Sequence, residues 1–274
     1  MKLQKKCMIL ALIIAYKHVE SYPTDDFLAK QSSFEIEPNN FAGRILTKWS
    51  ETDHFGNPEE QGPYFEGDII VSNERTFFTR QARKWKHGII PYKISGSFTE
   101  DQTTMIKTAI EEIELKTCIK LVPHSSEKDF IIFNNDVSGC WSKVGRGGGS
   151  QTINLQNQCF KTIGTIIHEI LHAVGLFHEQ NRSDRDDFIE IVTENIRKKS
   201  LVNFQKFIPN IYDAEESLYD YESILHYSPY AFSINGQQTI KTKKSLETIK
   251  LMGQRKGLSE GDILKINMMY KCLQ

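Results

Sequence analysis

Neither sign of charge is in excess in this chain of 274 residues: 34 Lys and Arg stand against 35 Asp and Glu, a net charge of -1. Without a global field, neither nucleic acid nor a membrane surface is an expected partner. Proline and glycine are sparse, at 8 and 17 residues, and with 39% hydrophobic and 25% charged residues the composition is ordinary for a globular protein. Collagen-like, coiled-coil and wholly disordered classes are therefore excluded. Long apolar runs are missing too: residues 7–16 fall short of the roughly 20 that a spanning helix needs, and no other stretch comes nearer. Any function must reside in a local site.

The chain opens with Lys2, Lys5 and Lys6, the apolar run 7–16 and the small-residue ending Val19-Glu20-Ser21, the three-part pattern of a cleaved secretory signal. Residues 1–21 are read as that signal, and the body as secreted. Cysteine usage agrees, since Cys7 leaves with the signal and Cys118, Cys140, Cys159 and Cys272 remain. Their spacing is not that of a zinc finger, and an oxidising compartment favours two disulfides, for which three pairings are open.

Charge is unevenly placed. Residues 1–21 carry +3, residues 22–75 carry -7, and the rest +3. The acidic segment has no sustained periodicity and reads as an extended piece that lies on the body without a core of its own, or as a solvated linker. It ends in a basic patch of Arg75, Arg80, Arg83, Lys84 and Lys86, where a processing boundary or a basic surface turn is expected.

Beyond it, residues 89–94 read as a strand. Residues 100–116 read as a helix capped by Ser97 or Thr99, with Met105, Ile106, Ala109, Ile110 and Ile113 at helical spacing. Strand-like runs follow at 119–122, 130–133 and 152–155. The Gly-rich stretch 145–149 lacks the Lys-Ser/Thr ending of a phosphate loop and reads as a turn. Helical spacing returns at 162–176, and helix-like segments are expected at 186–206 and 260–271, the latter capped by Ser259.

The chemistry lies in His168-Glu169-Ile170-Leu171-His172-Ala173-Val174-Gly175-Leu176-Phe177-His178. Two histidines at i and i+4 share one helix face and can reach one metal ion. Gly175 lets the chain turn at the helix end, so that His178 approaches from another side. Three imidazoles leave an open position on a zinc ion, where a water has its pKa lowered to about 7. Glu169 can take a proton from that water and pass it to a leaving amine. The implied reaction is peptide-bond hydrolysis.

The zinc signature continued by Glu179, with Ser223-Ile224-Leu225-His226-Tyr227, resembles the astacin family of metzincin endopeptidases. The resemblance covers residues 65–272 and includes Ile90-Pro91-Tyr92, Gly139-Cys140-Trp141-Ser142, Asp184-Arg185-Asp186, Tyr219-Asp220-Tyr221 and the ending Met269-Tyr270-Lys271-Cys272. It implies an α+β fold of two lobes, with a mixed twisted sheet, an active-site helix and one Zn2+ in the cleft. It pairs Cys118 with Cys272 and Cys140 with Cys159. His168, His172 and His178 become the ligands, and Tyr227 a further resting-state ligand that swings away to stabilise the oxyanion.

Phe65-Glu66-Gly67-Asp68 resembles the propeptide motif whose aspartate keeps the enzyme latent. Domains are then a signal at 1–21, an inhibitory propeptide at 22–75 and a catalytic domain at 76–274. A trypsin-like protease is expected to cut between Arg75 and Thr76, with Arg80 and Arg83 as alternatives, and Glu179 to anchor the new amino terminus. No further module is expected after Cys272, and the chain is expected to be a monomer acting on proteins or peptides.

Two departures stand out. Leu225 replaces the usual Met of the turn beneath the metal, a swap of similar volume that usually costs under about 1.5 kcal/mol. Asn181-Arg182-Ser183 creates a glycosylation acceptor at Asn181. The competing readings are an inactive zinc-holding binding protein and a secreted protein with a purely structural metal. Glu169, Tyr227 and the open three-His set argue against both.

Overall fold

The short apolar runs become strands of one sheet in the computed structural model, which describes residues 57–70, 84–206, 217–245 and 250–272. Strands β1 (Ile89–Ile94), β2 (Lys120–Pro123), β3 (Phe130–Asn134), β4 (Cys140–Trp141) and β5 (Ser150–Leu155) lie in the order β2-β1-β3-β5-β4. All neighbours run parallel except β4, which is antiparallel to β5 at one edge. The sheet is mixed, as the resemblance implies. The signal at 1–21, the Arg75–Thr76 bond, Arg80 and Arg83 lie outside the described residues.

Parallel strands need a crossover, and α1 (Glu100–Lys116) supplies the one between β1 and β2. Thr99 rather than Ser97 is its cap: its hydroxyl accepts from the Gln102 N–H, and the Gln102 side chain reaches back to the Thr99 N–H. Ile106, Ala109, Ile110 and Ile113 face inward and share a core with Ile90, Ile131 and Ile153 of the sheet.

Helix α2 (Ile163–Val174) packs into the same core, and every residue from Gly164 onward in it is buried. A helix apolar nearly all round belongs inside a protein. Its buried polar residues, Thr165, His168, Glu169 and His172, therefore need partners.

The Gly-rich stretch is a turn, as expected. Gly149 N–H donates to Asp129 Oδ1 at 2.7 Å, Gly147 N–H to Gln151 Oε1 at 2.9 Å, and Arg146 pairs with Asp129.

The helix expected at 186–206 is not formed. In its place come a 3₁₀ turn at Arg185–Asp187, strand β6 (Ile189–Ile191), a turn at Thr193–Asn195 and a 3₁₀ segment at Lys198–Phe204. The run Ile189-Glu190-Ile191-Val192-Thr193 is β-branched at four of its five positions, which favours extended backbone. Ile189 is buried and Glu190 exposed, and β6 pairs antiparallel with β7 (Ile240–Thr242). In the 3₁₀ segment Ser200, Asn203 and Phe204 are buried, close to the threefold repeat of that helix. A second core gathers here around Phe204, Tyr219, Tyr221, Tyr227 and Phe232, so the metal motif sits between two lobes.

Helix α3 (Glu260–Tyr270) closes the described chain, capped by Ser259 with a capping box to Asp262. Two disulfides join Cys118 to Cys272 and Cys140 to Cys159, the pairing the resemblance implies. Among the described residues, no helix is long and apolar enough to cross a membrane.

Residues 57–70 bury against the body instead of forming a core alone. Phe65 and Ile69 pack with Val144 and Phe177. Ile69 bridges Ser142 just past β4, with Ile70 N–H donating to Ser142 O at 2.8 Å and Ser142 N–H to Asp68 O at 2.9 Å. The segment thus extends the sheet edge. Gly67 makes its turn at φ 93°, where a Cβ would lie 2.7 Å from the Glu59 carbonyl oxygen.

Candidate metal centre

His168 and His172 project from one face of α2, and Gly175 ends that helix at φ 129°. The Gly175 N–H bonds Leu171 O and His172 O, and the Leu176 N–H also bonds Leu171 O, a C-cap that satisfies the last carbonyls. Trp85 Nε1 and the Tyr270 hydroxyl cover the carbonyls of Ala173 and Val174, at 2.8 and 2.6 Å. The reversal brings His178 back so that three imidazoles and the Asp68 carboxylate converge. One ligand atom from each of the four buried residues lies within 4.8 Å of the others.

The imidazoles are oriented from behind. His168 Nδ1 donates to Ile224 O at 2.8 Å and His172 Nδ1 to Leu176 O at 2.8 Å, while His178 Nδ1 meets Glu66 Oε2 at 2.7 Å. Donation through Nδ1 turns the Nε2 lone pairs inward. Nε2 of His168 lies 3.1 Å from that of His172 and 3.3 Å from that of His178. Lone pairs so close repel unless a cation sits among them, so this donor set fits zinc, which takes nitrogen and carboxylate oxygen at four positions.

Asp68 offers a fourth donor to such an ion. Its Oδ2 is 3.0 Å from His168 Nε2 and 3.3 Å from His178 Nε2, and Oδ1 is 3.7 Å from His172 Nε2. Burial pushes the Asp68 carboxyl up, but the His178 and His172 charges outweigh it and hold the group well below its usual range. Burial likewise pushes His178 down, and the Asp68 and Glu66 carboxylates outweigh it, carrying the imidazole up to about 9.

Glu169, beside the first ligand, is fully buried, and neither carboxylate oxygen has a hydrogen-bond partner in the structure. Burial first, then the Asp68 and Glu59 anions, raise its pKa well above the usual carboxylate range. A buried carboxyl left free beside a metal position is equipped to exchange protons.

Tyr227 is buried with its ring 4.7 Å from that of His178, but its hydroxyl donates to the Glu66 carbonyl at 2.5 Å and stands outside the ligand cluster. Glu179 also lies near, with its N–H on Leu225 O at 3.2 Å and its carboxylate on Lys265 at 2.5 Å and on Arg182 at 3.3 Å. Leu225 is buried with Ile224 in the core that α1, α2 and the sheet share. Asp262 holds this turn through Ser223 Oγ at 2.6 Å and the Ile224 N–H at 2.9 Å. Asn181 is fully buried, and its Nδ2 donates to Asn203 O at 2.8 Å, so the folded domain has no place for a glycan there.

The acidic segment contributes more than its motif predicted. Glu59 and Glu60 are fully buried, Glu59 paired with Arg255 and Glu60 accepting the Ser228 N–H and hydroxyl, each at 2.7 Å. Only the -7 balance of residues 22–75 against a +3 body hinted at such contacts.

Residues 77–271 match the model of the astacin peptidase family. Over 224 residues the chain is 39% identical to zinc metalloproteinase nas-4 of Caenorhabditis elegans, covering 77% of this chain and 70% of that one. It is 43% identical to embryonic protein UVS.2 of Xenopus laevis over 76% of this chain but only 40% of that protein, and it also spans under half of nas-14 and nas-13. Among solved structures, high choriolytic enzyme 1, a hatching enzyme zinc-protease of the medaka Oryzias latipes, is similar with a TM-score of 0.64 and 36% identity, over 75% of this chain and all of that one.

Proposed function

Given that the chain belongs to the astacin family of zinc metalloproteinases, we propose that it is a secreted endopeptidase, made latent and activated by proteolytic removal of residues 22–75. His168, His172 and His178 would hold zinc, and the chemistry it would supply there when bound is Lewis acidity toward the scissile carbonyl and toward a water, making that water nucleophilic near neutral pH. Glu169 takes the proton of the attacking water and returns it to the leaving amine nitrogen, a role its raised pKa and unpartnered oxygens suit. The Tyr227 hydroxyl donates to the oxygen on which negative charge develops, a contribution of a few kcal/mol at about 3 Å.

One observation carries this reading. A peptide segment already lies along the β4 edge with its Glu66 carbonyl on the Tyr227 hydroxyl and its Asp68 carboxylate against the three ligands. An extended substrate fits where this segment lies, and the segment blocks it. Latency then rests on Asp68 filling the fourth position, with Glu59 and Glu60 holding the segment through Arg255 and Ser228. A trypsin-like protease cutting after Arg75 frees the cleft, and the active species is a monomer acting on internal bonds of proteins or peptides.

To test this, the full chain is expressed in a secretory host and trimmed with trypsin. Its new amino terminus is sequenced, and a peptide library is offered with and without a zinc chelator. Chelator-sensitive internal cleavage that appears only after the cut is the expected result. A folded, zinc-loaded, trimmed chain that cleaves nothing sinks the hydrolase reading and leaves a zinc-holding binding protein.

A further inference from the structure

The three imidazoles are not braced alike. His168 and His172 stand on α2, and each gives its Nδ1 to a carbonyl of the body, Ile224 O and Leu176 O, both at 2.8 Å. His178 stands beyond Gly175, off the helix, and its Nδ1 meets Glu66 Oε2 at 2.7 Å, while its Nε2 lies 3.3 Å from Asp68 Oδ2. Both ring nitrogens of this ligand thus face carboxyl groups of the acidic segment, one behind the ring and one in front. The backbone is strained to place the one behind. Glu66 has a φ of 52°, left-handed geometry that residues other than glycine seldom take, and Gly67 follows at 93°. The Glu66 carboxyl is fully buried with Oε1 unpartnered, its N–H donates to Asn203 Oδ1 at 3.0 Å, and its carbonyl accepts the Tyr227 hydroxyl. For the turn alone, glycine or asparagine suits position 66 better than glutamate.

We propose that Glu66 is a positioning residue for His178 in the uncut chain, so that the acidic segment holds the metal site from two sides. Asp68 offers a donor in front, and Glu66 is the acceptor that turns the third imidazole toward the ion. A carboxylate accepting from Nδ1 fixes the ring and makes Nε2 a stronger donor to a metal, and losing such a partner commonly costs about 10- to 100-fold in metal affinity. The neutral carbonyls behind His168 and His172 do the same more weakly, since a charged acceptor makes the stronger hydrogen bond. The segment is then a metal-retaining element as well as a plug, and the ligand that it secures is the one that stands off the helix. Cutting the segment free withdraws donor and brace together. That last step rests on the latent-endopeptidase reading; the pairing of Glu66 with His178 does not.

The test follows zinc release into a colorimetric chelator from the uncut, zinc-loaded full chain. Docking of the segment is followed separately by hydrogen exchange at the Ile70 and Ser142 amides, which bond across the β4 edge. The isosteric Glu66→Gln removes the charge and is expected to speed release about tenfold while both amides stay protected. In an Asp68→Asn background, where Glu59, Glu60 and Ile69 still hold the segment, it is expected to speed release by a further factor of similar size, because it acts through His178 and not through Asp68. Release unchanged by Glu66→Gln, an effect absent in the Asp68→Asn background, or an effect accompanied by lost protection of both amides overturns the proposal. Glu66→Gly takes a φ of 52° without strain and so separates the turn from the carboxyl. It is expected to release zinc at least as fast as Glu66→Gln, and retention equal to wild type makes residue 66 a turn residue alone and overturns the pairing. Because release needs no turnover, a chain that hydrolyses nothing sinks the endopeptidase reading and leaves the pairing, whereas unchanged release sinks the pairing and leaves the hydrolase.

Discussion

At the scale of single residues, the proposed chemistry turns on a carboxyl without hydrogen-bond partners. Glu169 has two buried oxygens without partners, so Glu169→Gln removes a proton acceptor while disturbing little packing. The expected outcome is a loss of kcat on the order of 10²- to 10⁴-fold with zinc content unchanged, checked by single-turnover peptide cleavage and metal analysis on the trimmed chain. The residues most legible in the sequence are those that one helix places together. His168 and His172 fall four positions apart, so helical geometry alone puts them on one face, with Glu169 one turn short of His172 beside them. The partners behind them were not legible. Glu66 reaches His178 across 112 residues and Asp68 reaches His168 across 100, and spacing in a chain says nothing about such contacts. Asp68 is legible through its motif, whereas for Glu59 and Glu60 the sequence offers only an acidic segment that either lies on the body or is solvated, with no partner indicated.

At the scale of elements, the turn at Gly67 presents Asp68 to the ligands. A side chain at position 67 meets the Glu59 carbonyl at 2.7 Å and the Phe232 ring at 3.1 Å, at a φ of 93° that side chains rarely adopt. Gly67→Ala is therefore expected to loosen the segment, visible as chelator-sensitive turnover by the uncut chain above the wild-type background. Helices α1, α2 and α3 were legible because each carries a helical apolar stripe and a cap or breaker at an end. Residues 186–206 were misread as a helix because apolar positions recur there at spacings that also suit a short strand and a 3₁₀ turn. The deciding contact, β6 with β7, comes from about fifty residues away. The two-residue strand β4 is too short to leave any pattern in the sequence.

At the scale of the whole molecule, the ligands come from a helix, the loop beyond it and the acidic segment, so metal occupancy bears on folding. A ligand that binds only the folded state adds about 4 kcal/mol at a thousandfold excess over its Kd. For a domain of this size, stripping zinc is expected to lower Tm by about 10 °C in a calorimetric scan, with recovery on adding zinc back. Acid should act at the Gly-rich turn after β4. Burial pushes the Asp129 carboxyl up, but the Gly149 N–H and Arg146 outweigh it and hold the group below its ordinary 3.8. A carboxyl with a depressed folded pKa binds fewer protons folded than unfolded. Its stabilisation is thus full above 3.8 and lost as the pH falls below that through the folded value. Asp129→Asn is expected to lower Tm at neutral pH, with the gap closing in acid; a gap constant with pH would exclude this account.

The bridge from Cys118 to Cys272 has a separate consequence. It closes a ring of covalent bonds around everything between those residues, including the second core around Tyr219, Tyr227 and Phe232. A protease that nicks itself or is nicked by a neighbour within that ring stays one molecule. On a non-reducing gel such damage leaves no trace, and only a reducing lane shows the fragments, so an ageing preparation can look intact by mass while its cleft has come apart.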